Sequence, residues 1–229
     1  MGAQSLDNVA SSSSSKITID LWTDLGCPWC YVGKHRLSKA IDSSGHADEI
    51  ELVLHSFELD SSASHEPVTI AQLLKEKYNA GPEQFAAMEG TVKSLALAEG
   101  LPFSSERLSA NTFDIHRIMH LAKSYGVSVE VFDTLQKEYF AGISNPYAEE
   151  TMVRICLAAG IPEEEVKDVL AGERFTEEVR IDEKYGHGIG ITGVPFTVFD
   201  KKYGASGALS VEAYADAIST VVSERALQL

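Results

Sequence analysis

The chain has 229 residues, enough for one large domain or for a domain with a sizeable insertion. Its net charge of −15 disfavours nucleic acid as a partner, because phosphates would be repelled and no Lys/Arg cluster offsets the charge. No apolar stretch approaches the roughly 20 residues that cross a bilayer, so no membrane association is expected. The 3 cysteines form no disulfide framework and no secretory signal is visible before Lys16, which favours a cytoplasmic protein.

Strand-like segments begin the sequence after a polar tail. Residues 1–15 include a polyserine run and are predicted to be a disordered tail. Ile17–Thr23 and Ile50–Phe57 are rich in β-branched and aromatic residues and are predicted to be strands. A helix is predicted between them, from Pro28 to Ile41, and its length suits the crossover of a parallel β-α-β unit.

The middle of the chain is predicted to be helical, and strands return near its end. Gly- and Pro-containing breaks separate seven segments with helix-like patterns: Thr69–Tyr78, Pro82–Glu99, Asn111–Tyr125, Val129–Phe140, Ala148–Ala159, Pro162–Ala171 and Phe175–Tyr185. Strands are predicted at Pro195–Phe199 and Tyr203–Ala208, followed by a closing helix, Val211–Leu227, with Ser210 as its N-cap. The fold class is therefore α/β, with a helical insertion between the strand-bearing parts.

The sequence Cys27-Pro28-Trp29-Cys30 lies where the first strand passes into the first helix. A thiolate at a helix N-terminus is stabilised by unpaired N–H groups and by the helix dipole, by up to about 2 kcal/mol. We therefore expect Cys27 to be the exposed, attacking thiol, and Cys30, one turn deeper, to have the higher pKa and to resolve the mixed disulfide. Pro28 would stiffen the turn, and Trp29 would offer an apolar surface to the substrate.

Two other interpretations of this cysteine pair remain open. A structural zinc site would need four ligands, and neither Cys156 nor the spacing of the histidines completes such a set. The two thiols could also be buried and inert. Cys156 lies in an apolar helical segment and is expected to be a buried, small hydrophobic residue.

The sequence resembles the DsbA-like proteins of the thioredoxin fold, and among them the FrnE-like branch. Four ordered motifs carry the resemblance: Asp24–Gly33 around the cysteines, Phe57-Glu58-Leu59, Asn111–Arg117 and Gly190–Phe196. The resemblance implies a thioredoxin-like domain formed by residues 16–62 and 186–229, with a helical domain, residues 63–185, inserted into it.

The resemblance also implies which residues line the site. It predicts a cis peptide bond before Pro195, with Val194 and Pro195 forming a second wall beside Cys27 and contacting the substrate. Asn111, Phe113, His116 and Arg117 would line the opposite side of the cleft, with Arg117 as a partner for a substrate carboxylate. An acid near Cys30, either Glu58 or Asp24, is a further candidate to assist its deprotonation.

Two remaining patterns have ordinary explanations. Gly188–Gly193 matches G-x-G-x-x-G but leads into a strand instead of a helix, so nucleotide binding is not expected. His116 and His120 share a helix face, and packing or capping explains such a pair more readily than a metal site does.

Together these features predict a thiol-disulfide oxidoreductase that acts on disulfide- or thiol-containing proteins or on small thiols. The chemistry needs no tightly bound cofactor, although a low-molecular-weight thiol could serve as co-substrate. The alternatives are a glutathione-dependent isomerase or transferase of the same superfamily, in which a Ser commonly replaces Cys27, and a non-redox binding module or chaperone. The oligomeric state is left open.

Overall fold

The structure is a computed structural model that describes residues 16–79 and 81–227; the predicted tail, residues 1–15, lies outside the described residues. The strands are β1 (Ile17–Thr23), β2 (Ile50–Ser56), β3 (Val68–Thr69), β4 (Leu108–Ser109), β5 (Phe196–Phe199) and β6 (Tyr203–Ser206). The helices are α1 (Pro28–Ser43), α2 (Ile70–Tyr78), α3 (Pro82–Ala98), α4 (Phe113–Ser124), α5 (Ser128–Ala141), α6 (Glu149–Ala158), α7 (Glu163–Ala171), α8 (Thr176–Gly188) and α9 (Val211–Ala226).

A mixed sheet of four strands, in the order β2-β1-β5-β6, joins the two ends of the described chain. β1 runs parallel to β2, with Ile17 opposite Ile50, which confirms the predicted β-α-β unit. On its other side β1 pairs antiparallel with β5, with Trp22 opposite Phe196. The C-terminal end of β1 and the start of β5 therefore lie side by side, although most of the chain separates them.

Helices cover the sheet and hold it in a continuous core. α1 and α9 pack against each other, α9 also contacts β5, and α8 contacts β2. Ile19 and Leu21 of β1 pack in one buried cluster with Leu37 of α1 and Ile218 of α9. Each such side chain stabilises the fold by about 1.5–3 kcal/mol through burial.

The segment between the strands of the main sheet is mostly helical, as predicted. α4 lies in its centre, in contact with α5, α7 and α8. The predicted start of α4 at Asn111 is two residues early, because the Asn111 side chain accepts the Phe113 N–H at 2.9 Å and the helix begins at Phe113. The prediction also missed β3 and β4, which form a two-residue antiparallel ladder.

The α/β class with a helical insertion is confirmed, while the domain boundaries stay a prediction. α8 extends to Gly188, past the boundary predicted at residue 185. Within the described part of the chain, none of the helices combines the length and the apolar character needed to cross a membrane.

Candidate active site

Cys27 caps the N-terminus of α1. Its Sγ atom accepts the N–H of Cys30 at 3.3 Å, and its carbonyl accepts the N–H of Tyr31 at 3.2 Å. Pro28 occupies the first turn, where a missing N–H costs no helical hydrogen bond. The sulfur thus lies among the N–H groups at the positive end of the helix dipole, where a thiolate is stabilised.

Asp24 holds the turn that leads from β1 to Cys27. Its buried carboxylate accepts the N–H of Gly26 at 3.1 Å and the N–H of Leu59 at 2.8 Å, and its carbonyl accepts the N–H of Cys27 at 3.3 Å. Both carboxylate oxygens therefore accept hydrogen bonds from backbone N–H groups. Asp24 is a structural acceptor, and not the free acid near Cys30 that the sequence suggested.

Glu58, the other candidate acid, lies in a cluster of charged residues with Arg180 and Glu183. Its side chain is fully buried and accepts Nη1 of Arg180 at 3.3 Å, while its N–H donates to Glu183 at 3.1 Å. Burial, followed by the charge of Glu183, raises the pKa of Glu58. Its role toward Cys30 stays a prediction.

The two cysteine thiols differ in environment, but both are buried. Cys27 is only 3% exposed, which corrects the expectation of an exposed sulfur, and its thiol bonds Val194 in the segment that leads into β5. Cys30 has no exposed surface, and burial, followed by Cys27, raises its pKa well above the usual value. The Asp24 backbone and the Thr23 hydroxyl act in the opposite direction on that pKa. Cys30 is therefore the deeper thiol with the raised pKa, as predicted.

Val194 and Pro195 lie against the start of α1. The thiol of Cys27 donates to the carbonyl of Val194 at 3.5 Å, and the Val194–Pro195 peptide bond is cis. The Pro195 ring lies against α1 at Gly33, where an added Cβ would come within 3.0 Å of Pro195 Cγ. Trp29, two residues after Cys27, is 40% exposed, and its contact with a substrate stays a prediction.

Arg117 does not have the role that was predicted for it. Its guanidinium is 4% exposed and donates to the carbonyls of Val169, Gly172 and Arg174 and to the carboxylate of Asp114. These bonds tie α4 to the end of α7 and to the loop that follows it. Since its donors are used inside the protein, Arg117 is not placed to receive a substrate carboxylate.

The other three residues predicted from the same motif have different surroundings. Asn111 lies two residues before α4, where its side-chain oxygen accepts the Phe113 N–H and its amide donates to the carbonyl of Ser61 at 3.4 Å. The ring of Phe113 contacts two guanidinium groups, those of Arg180 at 4.2 Å and Arg117 at 5.9 Å. His116 is 3% exposed and lines a small cavity together with Thr23. Contacts of these side chains with a substrate stay a prediction.

Side chains of β1, β2, α4 and α8 form a polar cluster that the sequence did not predict. His55 of β2 bonds Asp20 of β1 at 2.8 Å and Asp182 of α8 at 2.9 Å, and Asp182 also pairs with His120 at 3.3 Å. Burial alone would lower the pKa of His55, but the hydrogen bonds to the two carboxylates outweigh it and raise the pKa. No sequence signal marks this cluster, since its members are scattered and only the packing of α8 on β2 brings them together.

The remaining sequence features behave as expected. Cys156 is fully buried on α6, and burial raises its pKa to about 11. α8 ends at Gly188 and the chain then enters β5, so the glycine motif opens no helix. Among the residues that the structure describes, no three His, Cys, Asp or Glu side chains are grouped so that they could hold a metal ion.

Comparison with known proteins places this chain in a wider group. A family model described as a DSBA-like thioredoxin domain matches residues 18–219. The structure of a probable DsbA oxidoreductase from Streptomyces coelicolor is similar, with a TM-score of 0.85, 37% sequence identity and 91% of each chain covered. These matches confirm the thioredoxin-like fold.

More distant structures share the fold alone. A cytosolic disulfide reductase, DsbM, from Pseudomonas aeruginosa has a TM-score of 0.62 at 14% identity, over 92% of this chain and 99% of that one. A 2-hydroxychromene-2-carboxylate isomerase has a TM-score of 0.68 at 14% identity, over 93% and 99%. A search of curated proteins gave no match.

Proposed function

Because this chain belongs to the DsbA-like thioredoxin-domain family, we propose that it is a thiol-disulfide oxidoreductase that works through a mixed disulfide on Cys27. The observation that carries the proposal is the position of the two sulfurs. Cys27 caps α1 and accepts the N–H of Cys30, while Cys30 lies one turn further into the protein. An attacking thiol and a resolving thiol need this proximity and this difference in environment.

The reaction proceeds in two exchanges. The Cys27 thiolate attacks one sulfur of a substrate disulfide, forming a Cys27–substrate disulfide and releasing the first substrate thiol. Cys30 then attacks Cys27 Sγ, forming the Cys27–Cys30 disulfide and releasing the second substrate thiol. Two electrons pass from the protein dithiol to the substrate, and the reverse sequence oxidises a substrate dithiol.

Trp29 and Val194 are the groups best placed to hold the substrate. Trp29 is partly exposed next to Cys27, which suits an apolar part of the substrate. The Val194 carbonyl accepts the Cys27 thiol proton in the free protein. A mixed disulfide has no such proton, so the carbonyl then becomes free to accept an N–H from an extended substrate.

A small thiol such as glutathione is our proposal for the co-substrate that regenerates the dithiol. A structure of the cytosolic disulfide reductase DsbM with GSH has the same fold at 15% identity, which supports the proposal only by analogy. A cytoplasmic location, which would supply such a thiol, stays a prediction from the cysteine content.

Serine substitutions test the proposed function. With a disulfide-containing peptide and glutathione as reactants, Cys27→Ser should abolish exchange, because the attacking sulfur is lost. Cys30→Ser should accumulate a covalent Cys27–peptide adduct, visible by mass spectrometry. Cys156→Ser is the matched control and should retain exchange. Full activity in both of the first two variants would contradict the proposal.

The same variants separate the competing functions. A glutathione-dependent isomerase or transferase would use Cys27 alone, so it should tolerate Cys30→Ser and require added glutathione. A binding module or chaperone should show no redox cycling with any thiol donor.

A further inference from the structure

A small cavity lies between β1, β2, α4 and α5. Thr23 at the end of β1 and His116 on α4 both line it. It leaves about 10 Å³ for the centre of a water molecule, close to the space that one ordered water needs. A polar cavity of this size suits a single bound water.

Two buried polar atoms at this cavity lack a protein partner. Neither His116 Nε2 nor Thr23 Oγ1 makes a hydrogen bond within the described part of the chain, although the Thr23 hydroxyl is near enough to the Cys30 sulfur to lower its pKa. Buried polar groups are nearly always bonded to protein or to ordered water. One water in the cavity would give both atoms a partner.

The residues that line the cavity include a neighbour of the buried cysteine and residues at the surface. At its inner end the Thr23 hydroxyl acts on Cys30, lowering the pKa that burial raises. At its outer end the lining includes Lys123, which is exposed, and Ser128, which is half-buried. The cavity lining therefore includes a polar group that acts on Cys30 and polar groups that reach the surface.

Cys30 needs a path by which its thiol proton can leave. It is fully buried, so its thiol must lose a proton in a place that disfavours the thiolate. The nearby carboxylate of Asp24 is used by two backbone N–H groups.

We propose that His116 is the proton acceptor for the resolving thiol of Cys30, through the Thr23 hydroxyl and one water held in this cavity. The inference rests on the proposed function, because it concerns the second exchange of that reaction. His116 acts through Thr23 and the water, so it receives the proton without touching the reacting sulfurs.

The proton and electron balance is simple. The S–H bond of Cys30 breaks, and its proton moves along Thr23 and the water to Nε2 of a neutral imidazole. The sulfur's electron pair forms the bond to Cys27, and the Cys27–substrate disulfide breaks so that the substrate leaves as a thiolate. The imidazolium returns its proton to solvent through the outer end of the cavity, and the substrate thiolate takes one from solvent.

Burial and the nearby charges together set the protonation state of His116. Burial, the largest influence, lowers its pKa, so the ring is neutral and able to accept a proton at neutral pH. Asp24, Asp182 and Glu183 act against that shift, and His120 adds to it. His55 and Lys123, the other titratable side chains at the cavity, lie on β2 and at the outer end of α4.

The test follows the two exchanges separately. The reduced protein is mixed with a chromogenic aromatic disulfide, dithiobis(nitrobenzoate), and release of the coloured thiol is followed by stopped flow. The first phase reports attack by Cys27, and the second reports resolution by Cys30. His116→Gln should slow the second phase by roughly 100-fold near neutral pH, as for loss of a general base, and leave the first phase unchanged.

The pH profile distinguishes a proton acceptor from a structural residue. In the wild-type protein the second phase should be flat from mildly acidic to neutral pH. In His116→Gln it should rise steadily with pH and meet the wild-type rate in alkali, where hydroxide removes the proton. Thr23→Val, which keeps the shape but loses the hydroxyl, should show the same rise and serves if His116→Gln does not fold.

His46→Gln is the control, since it removes a histidine that is 40% exposed and is not part of the cavity lining. It should leave the second phase unchanged. An unchanged second phase in both His116→Gln and Thr23→Val, or equal slowing of both phases at every pH, would overturn the inference. Absence of any first phase in the wild-type protein would instead overturn the proposed function.

Discussion

His55 shows how a single side chain can make stability depend on pH. Its ring lies between the carboxylates of Asp20 and Asp182 and stacks on Trp22 at 4.4 Å between ring centroids. The pKa of His55 is raised in the folded protein, and the bonds of Asp182 to His120 and His55 lower the Asp182 pKa in spite of burial. The stability that His55 contributes through its raised pKa therefore depends on pH.

We predict that His55→Gln lowers the melting temperature most at mildly acidic pH. A group whose folded pKa is raised contributes its full stability below its unfolded pKa of about 6.5 and loses it as pH rises through the folded value. The free energy of unfolding should fall by about 1.5–3 kcal/mol near pH 5.5 and by less near pH 9. Thermal unfolding of both proteins across this range measures the difference.

The control is His46→Gln, which removes an exposed pair with Glu49. Such pairs contribute little, so this variant should change the melting temperature only slightly at any pH. A loss in His55→Gln that does not vary with pH would mean that packing on Trp22, and not charge, is what His55 supplies.

At the scale of elements, the site depends on how closely α1 approaches the start of β5. Gly33 makes this possible, because a Cβ there would meet Pro195 Cγ at 3.0 Å and Ala208 Cα at 3.2 Å. Both contacts are with buried or backbone atoms that have little room to move. The side chain missing at Gly33 thus allows the Val194 carbonyl to reach Cys27.

Gly33→Ala should therefore destabilise the protein by about 1–3 kcal/mol through overpacking and slow disulfide exchange. Denaturant unfolding and the exchange assay measure the two effects. Gly90→Ala on α3 is the matched control, since nothing lies within 4 Å of its added Cβ. That substitution should leave exchange intact and leave stability unchanged or raised by up to about 1 kcal/mol. Similar losses in both variants would contradict the packing argument.

The elements that could be predicted are those with a long periodic pattern or a clear cap. β1 and β2 follow from their runs of β-branched residues, and α9 begins after Ser210, whose side chain accepts the Ala213 N–H. The ladder of β3 and β4 has two residues a strand, too few for any period, and it forms only because the folded chain brings them together.

The site could be predicted in part for a similar reason. The three-residue spacing of Cys27 and Cys30 places them one turn apart at the start of α1, independently of the rest of the fold. Spacing along a helix does not show, however, which part of the protein each face of that helix contacts. His116 and Arg117 are adjacent on α4, yet one lines the cavity behind Thr23 and the other bonds the carbonyls after α7.

For the whole molecule, the net charge of −15 is the property that bears most directly on substrate choice. Such a charge attracts cationic partners and repels anionic ones over distances that salt shortens, to about 10 Å at 0.1 M. We expect a cationic disulfide peptide to form the mixed disulfide faster than an anionic peptide of equal length at low ionic strength.

Added salt should bring the two rates together, which stopped-flow measurements over a salt series would show. A neutral peptide with the same disulfide is the control, and its rate should change little. A rate ratio that is independent of salt would mean that contacts close to Cys27, and not the overall charge, select the substrate.

The central position of β1 has a consequence for how the protein is made. Cys27 is separated from Val194 by 167 residues, which a ribosome adding about 5–20 residues per second needs roughly 8–33 s to translate. During that interval the nascent chain carries both thiols of the pair without the strand that covers them. Newly made chains are thus open to exchange with any disulfide nearby, and the thiol becomes selective only when the last sixth of the protein arrives.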